Sequence, residues 1–140
     1  MHESAEKMVP THRCEVTAAD LSNAITDLNA IGEYDPDVAT VVLAPKGASA
    51  SLVIWNLMPG QENDYHMHPE TEHYQYVIEG ELEWTLADRE PQIVRPGQIV
   101  IVPPGVPHGI RNLSSTPARY ASLNSISKYE KILCERPNRG

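Results

Sequence analysis

The sequence predicts an all-β protein, an antiparallel sandwich or barrel preceded by one short helix. Three observations predict it. From Val38 to Ile126 the chain is a succession of short apolar or alternating runs, the pattern of strands that each bury one face. Those runs are cut at close intervals by Pro45-Lys46-Gly47, Pro59-Gly60, Glu79-Gly80, Pro96-Gly97 and Pro103-Pro104-Gly105, the punctuation of tight turns. Twelve prolines in 140 residues disfavour long helices, because proline lacks the amide hydrogen that a helix interior needs.

Taken in order, residues 1–16 show no period and read as a flexible arm that ends in a short strand over Arg13 to Val16. Thr17-Ala18-Ala19-Asp20 resembles a capping box, and Leu21, Ala24, Ile25 and Leu28 follow at helical spacing, which predicts a short helix closed by Gly32. Asp35-Pro36 is a turn signal. Strands are then expected over 38–44, 50–58, 65–68, 73–79, 81–87, 91–95, 98–102, 108–113 and 118–126. Residues 128–133 fit a last strand or a helical turn, and 135–140 read as a disordered basic tail.

The chain is sized for one domain with one core, here placed at 17–134. A net charge of -8 argues against a nucleic-acid or anionic membrane surface. No apolar run approaches the roughly 18–20 residues of a spanning helix, and Met1 to Lys7 lacks the apolar segment of a secretory signal. A soluble, cytoplasmic protein is the expectation. Cys14 and Cys134 have neither Cys-x-x-Cys spacing nor a cysteine-rich context, which predicts inert thiols, with an inter-terminal or intersubunit contact as the alternative.

The chemistry lies in the histidines. Of six, His2 and His12 fall in the arm, whereas His66, His68 and His73 lie within eight residues and His108 follows later. Residues two apart on a strand face the same side, so His66 and His68 point inward while Tyr65 and Met67 point away. The same rule puts His73, Gln75, Val77 and Glu79 on one face, and His108, Ile110 and Asn112 on another. Neutral imidazoles converging from separate strands suit a divalent transition ion, with zinc favoured and iron, nickel or manganese also able to bind. Calcium and magnesium prefer oxygen donors and fit poorly.

Two spaced motifs give the pattern a family likeness. Gly60, His66, His68, position 73 and Gly80 follow G-x5-H-x-H-x4-E-x6-G, and Gly97, Pro103, Gly105, His108 and Asn112 follow G-x5-P-x-G-x2-H-x3-N. In these motifs, spanning 60–80 and 97–112, the chain resembles a single-domain cupin. That resemblance implies a double-stranded antiparallel β-sandwich or barrel of jelly-roll type, one metal ion, a small-molecule substrate and a homodimer. One departure stands out: the family's usual Glu is His73 here, so the implied ligand set is His66, His68, His73 and His108. Glu72 competes with His73 in a register shifted by one residue, although alternation aims it away from a pocket that contains His73.

Exchanging a carboxylate for a neutral imidazole leaves the site one unit more positive, which strengthens a bound ion as a Lewis acid and disfavours oxidation of Fe(II). The expected function is therefore a metal-dependent enzyme carrying out non-redox cyclisation or isomerisation of a small carbonyl- or enol-rich substrate. The four-His variant resembles the cupin-type cyclases of aromatic polyketides. A non-haem metal dioxygenase is the first alternative and a ligand-binding cupin without turnover the second. Gln75 is a candidate for orienting a ligand or substrate, Val77, Leu82, Trp84 and Ile110 are candidates for an apolar pocket wall, and Trp55, Tyr74, Tyr76 and Trp84 are expected to pack in the sandwich or at a dimer interface. Glu70, Glu72, Glu81 and Glu83 read as solvated faces, and Asn112 as a strand-end hydrogen-bonding residue. At the imidazole's ordinary value, metal affinity would fall as the pH drops through about 6.5.

Overall fold

The computed structural model describes residues 21–137 apart from 23, 45, 46 and 48. Its strands are β1 (Thr40–Leu43), β2 (Ala50–Leu57), β3 (Glu62–Met67), β4 (His73–Glu79), β5 (Leu82–Leu86), β6 (Gln92–Val94), β7 (Ile99–Val102), β8 (His108–Arg111), β9 (Ala118–Ser125) and β10 (Ile132–Leu133). They form two five-stranded sheets, in the orders β1-β2-β9-β4-β7 and β10-β3-β8-β5-β6. Every pairing is antiparallel. Consecutive strands β3 and β4 lie in opposite sheets, as do β8 and β9, which is the jelly-roll arrangement expected from the sequence.

Each run from Val38 onward that reads as a strand is one, mostly with its ends trimmed. The exception is β3, which starts at Glu62 instead of Tyr65. Gln61 to Asp64 has the composition of a turn, but pairing of Glu62 with Arg111 and Asn63 with Ile110 overrides that local preference. The open choice for residues 128–133 resolves as a strand, since Ile132 and Leu133 pair with Met67 and His66.

The short N-terminal helix is not found where it can be checked. Thr17 to Asp20 and the expected strand at Arg13 to Val16 lie outside the described residues, and the described residues of 21–32 hold turns and bends but no helix. Leu21 and Ile25 are 71% and 97% exposed, so among the described residues these two apolar positions have nothing to pack on, and a helix this short depends on packing. The buried Arg119 guanidinium instead donates to the carbonyls of Leu28 and Ile31 and, through Nε, to Asn56 Oδ1 at 3.0 Å. The basic tail also differs from expectation: Arg136 donates to Thr85 Oγ1 at 3.0 Å and lies 5.4 Å from the Tyr65 ring centroid. Residues 138–140 lie outside the described residues.

The core fills one end of the sandwich. Leu57, Val77, Leu82, Trp84, Val94, Ile110, Ala118 and Tyr120 form one buried cluster. Tyr120 anchors it, with the Trp84 ring edge-on at 5.1 Å and the Trp55 ring stacked at 6.2 Å, separations at which aromatic pairs attract beyond their buried area. Asn112 closes the loop after β8 by donating to the carbonyls of Leu57 and Thr116 at 2.9 Å and accepting from Ser114. It is the strand-end residue the sequence suggests.

The β4–β5 turn gives a test of the fold. Gly80 has φ of 77°, and a Cβ there would lie 2.7 Å from the Pro117 carbonyl oxygen and 2.9 Å from Ala118 Cβ. Gly97 has φ of 94° but open space around its missing Cβ. Gly97→Ala should therefore cost about 1–2 kcal/mol of left-handed strain, and Gly80→Ala about 2–4 kcal/mol, because backbone must move as well. Paired denaturant melts of the two variants check this, and equal losses would contradict it.

Candidate metal centre

The registers of the sheets assemble the imidazoles. His66 on β3 pairs directly with His108 on β8, His68 follows just past the end of β3, and His73 opens β4 in the opposite sheet. Ring centroids lie 4.5 Å apart for His66 and His108, 4.8 Å for His66 and His68, 4.8 Å for His68 and His73, and 5.1 Å for His73 and His108. All four rings are buried. The available ligand atoms of His66, His68 and His108 fall within 4.8 Å of one another, so these three could hold a metal ion. His73 sits outside that tightest set but within ring contact of it.

Hydrogen bonding fixes which nitrogen each ring presents. His66 Nδ1 meets the Asp64 carbonyl, His68 Nδ1 the Glu130 carbonyl at 2.8 Å, His73 Nδ1 the Asn124 Oδ1 at 2.6 Å, and His108 Nδ1 the Val106 carbonyl at 3.1 Å. Every partner is an acceptor, so each neutral ring carries its proton on Nδ1 and leaves the Nε2 lone pair free. Nε2 of His73 and of His108 is buried without a partner. Nε2 of His66 and of His68 face each other at 3.1 Å, two lone pairs with no proton between them. Four convergent acceptors of this kind cost energy when left unpaired and are satisfied together by a cation.

Burial dominates their titration. Desolvation is the largest cause in each case, and it lowers His66 to about 4 and His108 to about 3, with His68 and His73 also lowered. The acceptors at Nδ1 oppose the shift, backbone carbonyls at His66, His68 and His108 and the Asn124 side chain at His73; the Lys131 charge reinforces it at His66 and His68, and neighbouring imidazoles at His66, His73 and His108. His66 and His108 therefore stay neutral and able to donate a lone pair well below pH 6.5, and His68 and His73 shift in the same direction, so an ion held here would resist acid further than the sequence suggests.

The cluster opens into a cavity of about 420 Å³, within the size range of small-molecule sites. Val41, Leu43, Val53 and Trp55 make one wall, and Gln75, Ser122 and Asn124 make a polar strip. Val77, Leu82, Trp84 and Ile110, expected as the apolar wall, do not line it; they belong to the core. Along β4 the interior changes from cavity at His73 and Gln75 to core at Val77, a division along the strand that alternation cannot reveal.

Gln75 does take part. Its Oε1 accepts from Trp84 Nε1 at 2.8 Å, its Nε2 donates to Ser122 Oγ at 3.2 Å, and Ser122 Oγ donates to Asn124 Oδ1 at 2.6 Å, the same atom that receives His73 Nδ1. A chain of hydrogen bonds thus runs from the core to a candidate ligand. Asn124→Ala should weaken metal binding by about 10- to 100-fold, the range for losing a group that orients a ligand, while Asn124→Asp retains an acceptor and restores it. Competition against a chelating dye measures both.

Glu72, the competitor of His73, is not in the cavity wall. Its carboxylate bonds the Tyr74 hydroxyl and holds that phenol's pKa above the ordinary value, so it faces the other side of β4. Of the other acids expected on solvated faces, Glu81 has a partly exposed side chain and pairs with Arg95 at 3.2 Å, whereas the Glu83 side chain is largely buried, because Arg111 across the sheet takes its carboxylate at 2.6 Å. Cys134 is a free thiol, and Cys14 lies outside the described residues.

Two residues of the site escape sequence reasoning. Asn63 lies an odd number of residues before His66 and by alternation should face away, but the register slips between Asn63 and His66. That bulge rephases the strand and brings Asn63 into the cavity wall. Asn124 is recognisable only through its cross-strand pairing with His73.

Residues 53–124 match the Cupin_2 model, described as a cupin domain. No curated protein matches the chain. Among solved structures, TT1209 from Thermus thermophilus is 28% identical with a TM-score of 0.68, over 72% of this chain and 95% of that one. An uncharacterized conserved protein with a double-stranded β-helix domain from Klebsiella pneumoniae is 23% identical with a TM-score of 0.76, over 86% and 98%. The polyketide cyclase RemF from Streptomyces resistomycificus is 22% identical with a TM-score of 0.64, over 71% and 73%. With a family match over half its length, two antiparallel sheets in jelly-roll order and the motif histidines gathered at one end of the sandwich, this chain belongs to the cupin family.

Proposed function

We propose that the protein is a metal-dependent cupin enzyme that acts on a small carbonyl- or enol-rich substrate by non-redox cyclisation or isomerisation. The observation that carries this reading is the donor set: four neutral Nε2 atoms, fixed by four Nδ1 hydrogen bonds, with no carboxylate among them. Such a set suits a divalent transition ion, zinc first among the candidates. A bound ion of this kind supplies Lewis-acid polarisation of a substrate oxygen.

The chain's own residues supply the rest. Val41, Val53 and Trp55 give an apolar wall against which a flat ring can pack and from which water is displaced. Gln75, Ser122 and Asn124 hold His73 at a fixed tautomer, so the ring need not reorganise when substrate enters. The polyketide-type substrate is part of the proposal, because likeness to RemF at 22% identity speaks for the fold alone.

Dioxygenation is the second reading. It is favoured by the separation of His73 from the compact set of His66, His68 and His108, since three ligands leave more open positions for oxygen and substrate. Metal analysis of natively purified protein followed by oxygen-consumption assays decides between the two. Stoichiometric zinc without oxygen uptake supports the first reading, and stoichiometric iron with substrate-dependent uptake overturns it. A homodimer is also proposed, on the resemblance to cupins together with the exposed strip of Tyr74, Ile99, Ile101 and Leu123 across three paired strands. Ile101→Glu should shift the light-scattering mass from twice the chain's 15.5 kDa to that of a monomer.

A further inference from the structure

Asn63 is a buried amide with one end in use. It is 5% exposed, and its Nδ2 donates to the Tyr120 hydroxyl at 2.9 Å. Tyr120 is itself fully buried and held by two tryptophan rings, so that end of the amide is fixed. The other end, Oδ1, is buried with no hydrogen-bond partner, in a residue that lines the same cavity as the four imidazoles. An unpaired buried acceptor is costly, and a cation held by the imidazoles accounts for their lone pairs but not for this oxygen. Hydrogen bonding here needs a donor, and a hydroxyl on the cavity's ligand supplies one.

Charge adds a second requirement. Among the described residues lining the cavity there is no Asp or Glu, and Lys131 is the only side chain there with a permanent charge. A divalent ion held by neutral imidazoles would meet no compensating anion in the wall, so charge balance falls to the ligand.

We infer that the cavity takes a hydroxylated organic anion of ring size, with Asn63 Oδ1 accepting the hydrogen bond of a ligand hydroxyl that does not itself bind the metal. The anionic requirement rests on the metal reading above; the role of Asn63 rests on its own unpaired oxygen. In the order of the site, the carboxylate or enolate lies toward the imidazoles, the ring against Trp55, and the hydroxyl against Asn63.

The test is calorimetric titration of the zinc-loaded full chain with 3-hydroxybenzoate, benzoate, 3-methoxybenzoate and 3-hydroxybenzamide, whose meta substituent cannot chelate together with the carboxylate. Quenching of Trp55 emission gives a second readout. The expected result is that 3-hydroxybenzoate binds about tenfold tighter than benzoate or the methoxy compound, the worth of one good hydrogen bond, and at least tenfold tighter than the amide. Asn63→Ala should bring the hydroxyl preference to near one and keep the preference for the carboxylate. Asn63→Asp, which keeps an acceptor beside Tyr120, should retain the hydroxyl preference. In metal-free protein the hydroxyl preference should persist while the carboxylate preference shrinks to what Lys131 alone supports, so failure of the metal reading and failure of the Asn63 assignment give different patterns. Equal binding of hydroxy and methoxy compounds by the wild type, or an undiminished hydroxyl preference in Asn63→Ala, overturns the assignment. Should Asn63→Ala fail to fold, the wild-type ratios decide alone. Equal binding of 3-hydroxybenzoate and 3-hydroxybenzamide by the zinc form overturns the anionic class.

Discussion

His108→Ala should purify with less than about a tenth of an equivalent of metal, while Glu72→Ala retains a full one. The His108 ring is 1% exposed, its Nε2 has no protein partner, and it pairs directly across the sheet from His66. Losing a residue that merely orients a ligand costs 10- to 100-fold in affinity, so loss of a ligand itself should exceed about 100-fold. Glu72 lies on the far side of β4, bonded to Tyr74, and its removal leaves the cavity untouched. His73→Ala belongs with His108→Ala on this view, because its Nε2 is equally orphaned and its Nδ1 is anchored by Asn124. Elemental analysis of the three variants beside the wild type checks the prediction. Metal retained by His73→Ala and lost from Glu72→Ala would reverse the register assignment.

Removing His68, one of the two rings whose Nε2 atoms face each other, should be mild for the metal-free fold. Two lone pairs facing each other at 3.1 Å between His66 and His68, with two further unpaired Nε2 atoms close by, make the cluster a local source of instability in metal-free protein. Stability is sacrificed there for ligand geometry, the usual relation between a preorganised site and its scaffold. Metal-free His68→Ala should therefore melt within a few degrees of metal-free wild type, and only the wild type should gain from added zinc.

Strand positions and the inward set of histidines were legible in the sequence because both depend on a period of two and on turns that only Gly and Pro supply cheaply. Gly60, Gly97 and Gly105 all take positive φ, and each closes a turn that the motif spacing marks. Other features were hidden, for reasons that are physical. A bulge inverts parity without leaving a compositional trace, so nothing in the sequence places Asn63, which lies before the expected strand at 65–68, in the cavity wall. The division of the interior into cavity and core depends on how far along β4 a residue lies, so Val77 and His73 look equivalent in sequence while one packs on Tyr120 and the other meets Asn124. The N-terminal helix is not confirmed among the described residues: its apolar spacing carries no information about a surface to receive it, and Arg119, about ninety residues away in the chain, takes the carbonyls of Leu28 and Ile31.

Acid should not strip the metal where free imidazole chemistry suggests. Protons compete with a metal for the Nε2 lone pairs only near the folded pKa values, about 4 for His66 and about 3 for His108, with His68 and His73 lowered as well. Zinc affinity of the folded protein should accordingly change by less than about tenfold between pH 7.5 and 5, then fall steeply as several rings protonate together. Stability of the metal-free protein follows a different course. Unfolded imidazoles take up protons near pH 6.5, whereas the folded ones resist, so between those limits the unfolded state binds more protons and stability declines as the pH falls. Above pH 6.5 the penalty is absent, and toward pH 4 it approaches about 1.4 kcal/mol for each unit by which a ring's pKa is lowered. Zinc binds the folded state and adds an increment set by its affinity; because that affinity barely changes over this interval, the metal-loaded and metal-free melting temperatures should fall together from pH 7.5 to 5 with the gap between them kept. Calorimetric scans of both forms across that interval, beside zinc titrations in matched buffers, measure the two effects separately. A fall in affinity of two decades between pH 7.5 and 6 would mean that the rings titrate as exposed imidazoles, and the buried, Nδ1-anchored cluster would not be the form that binds metal.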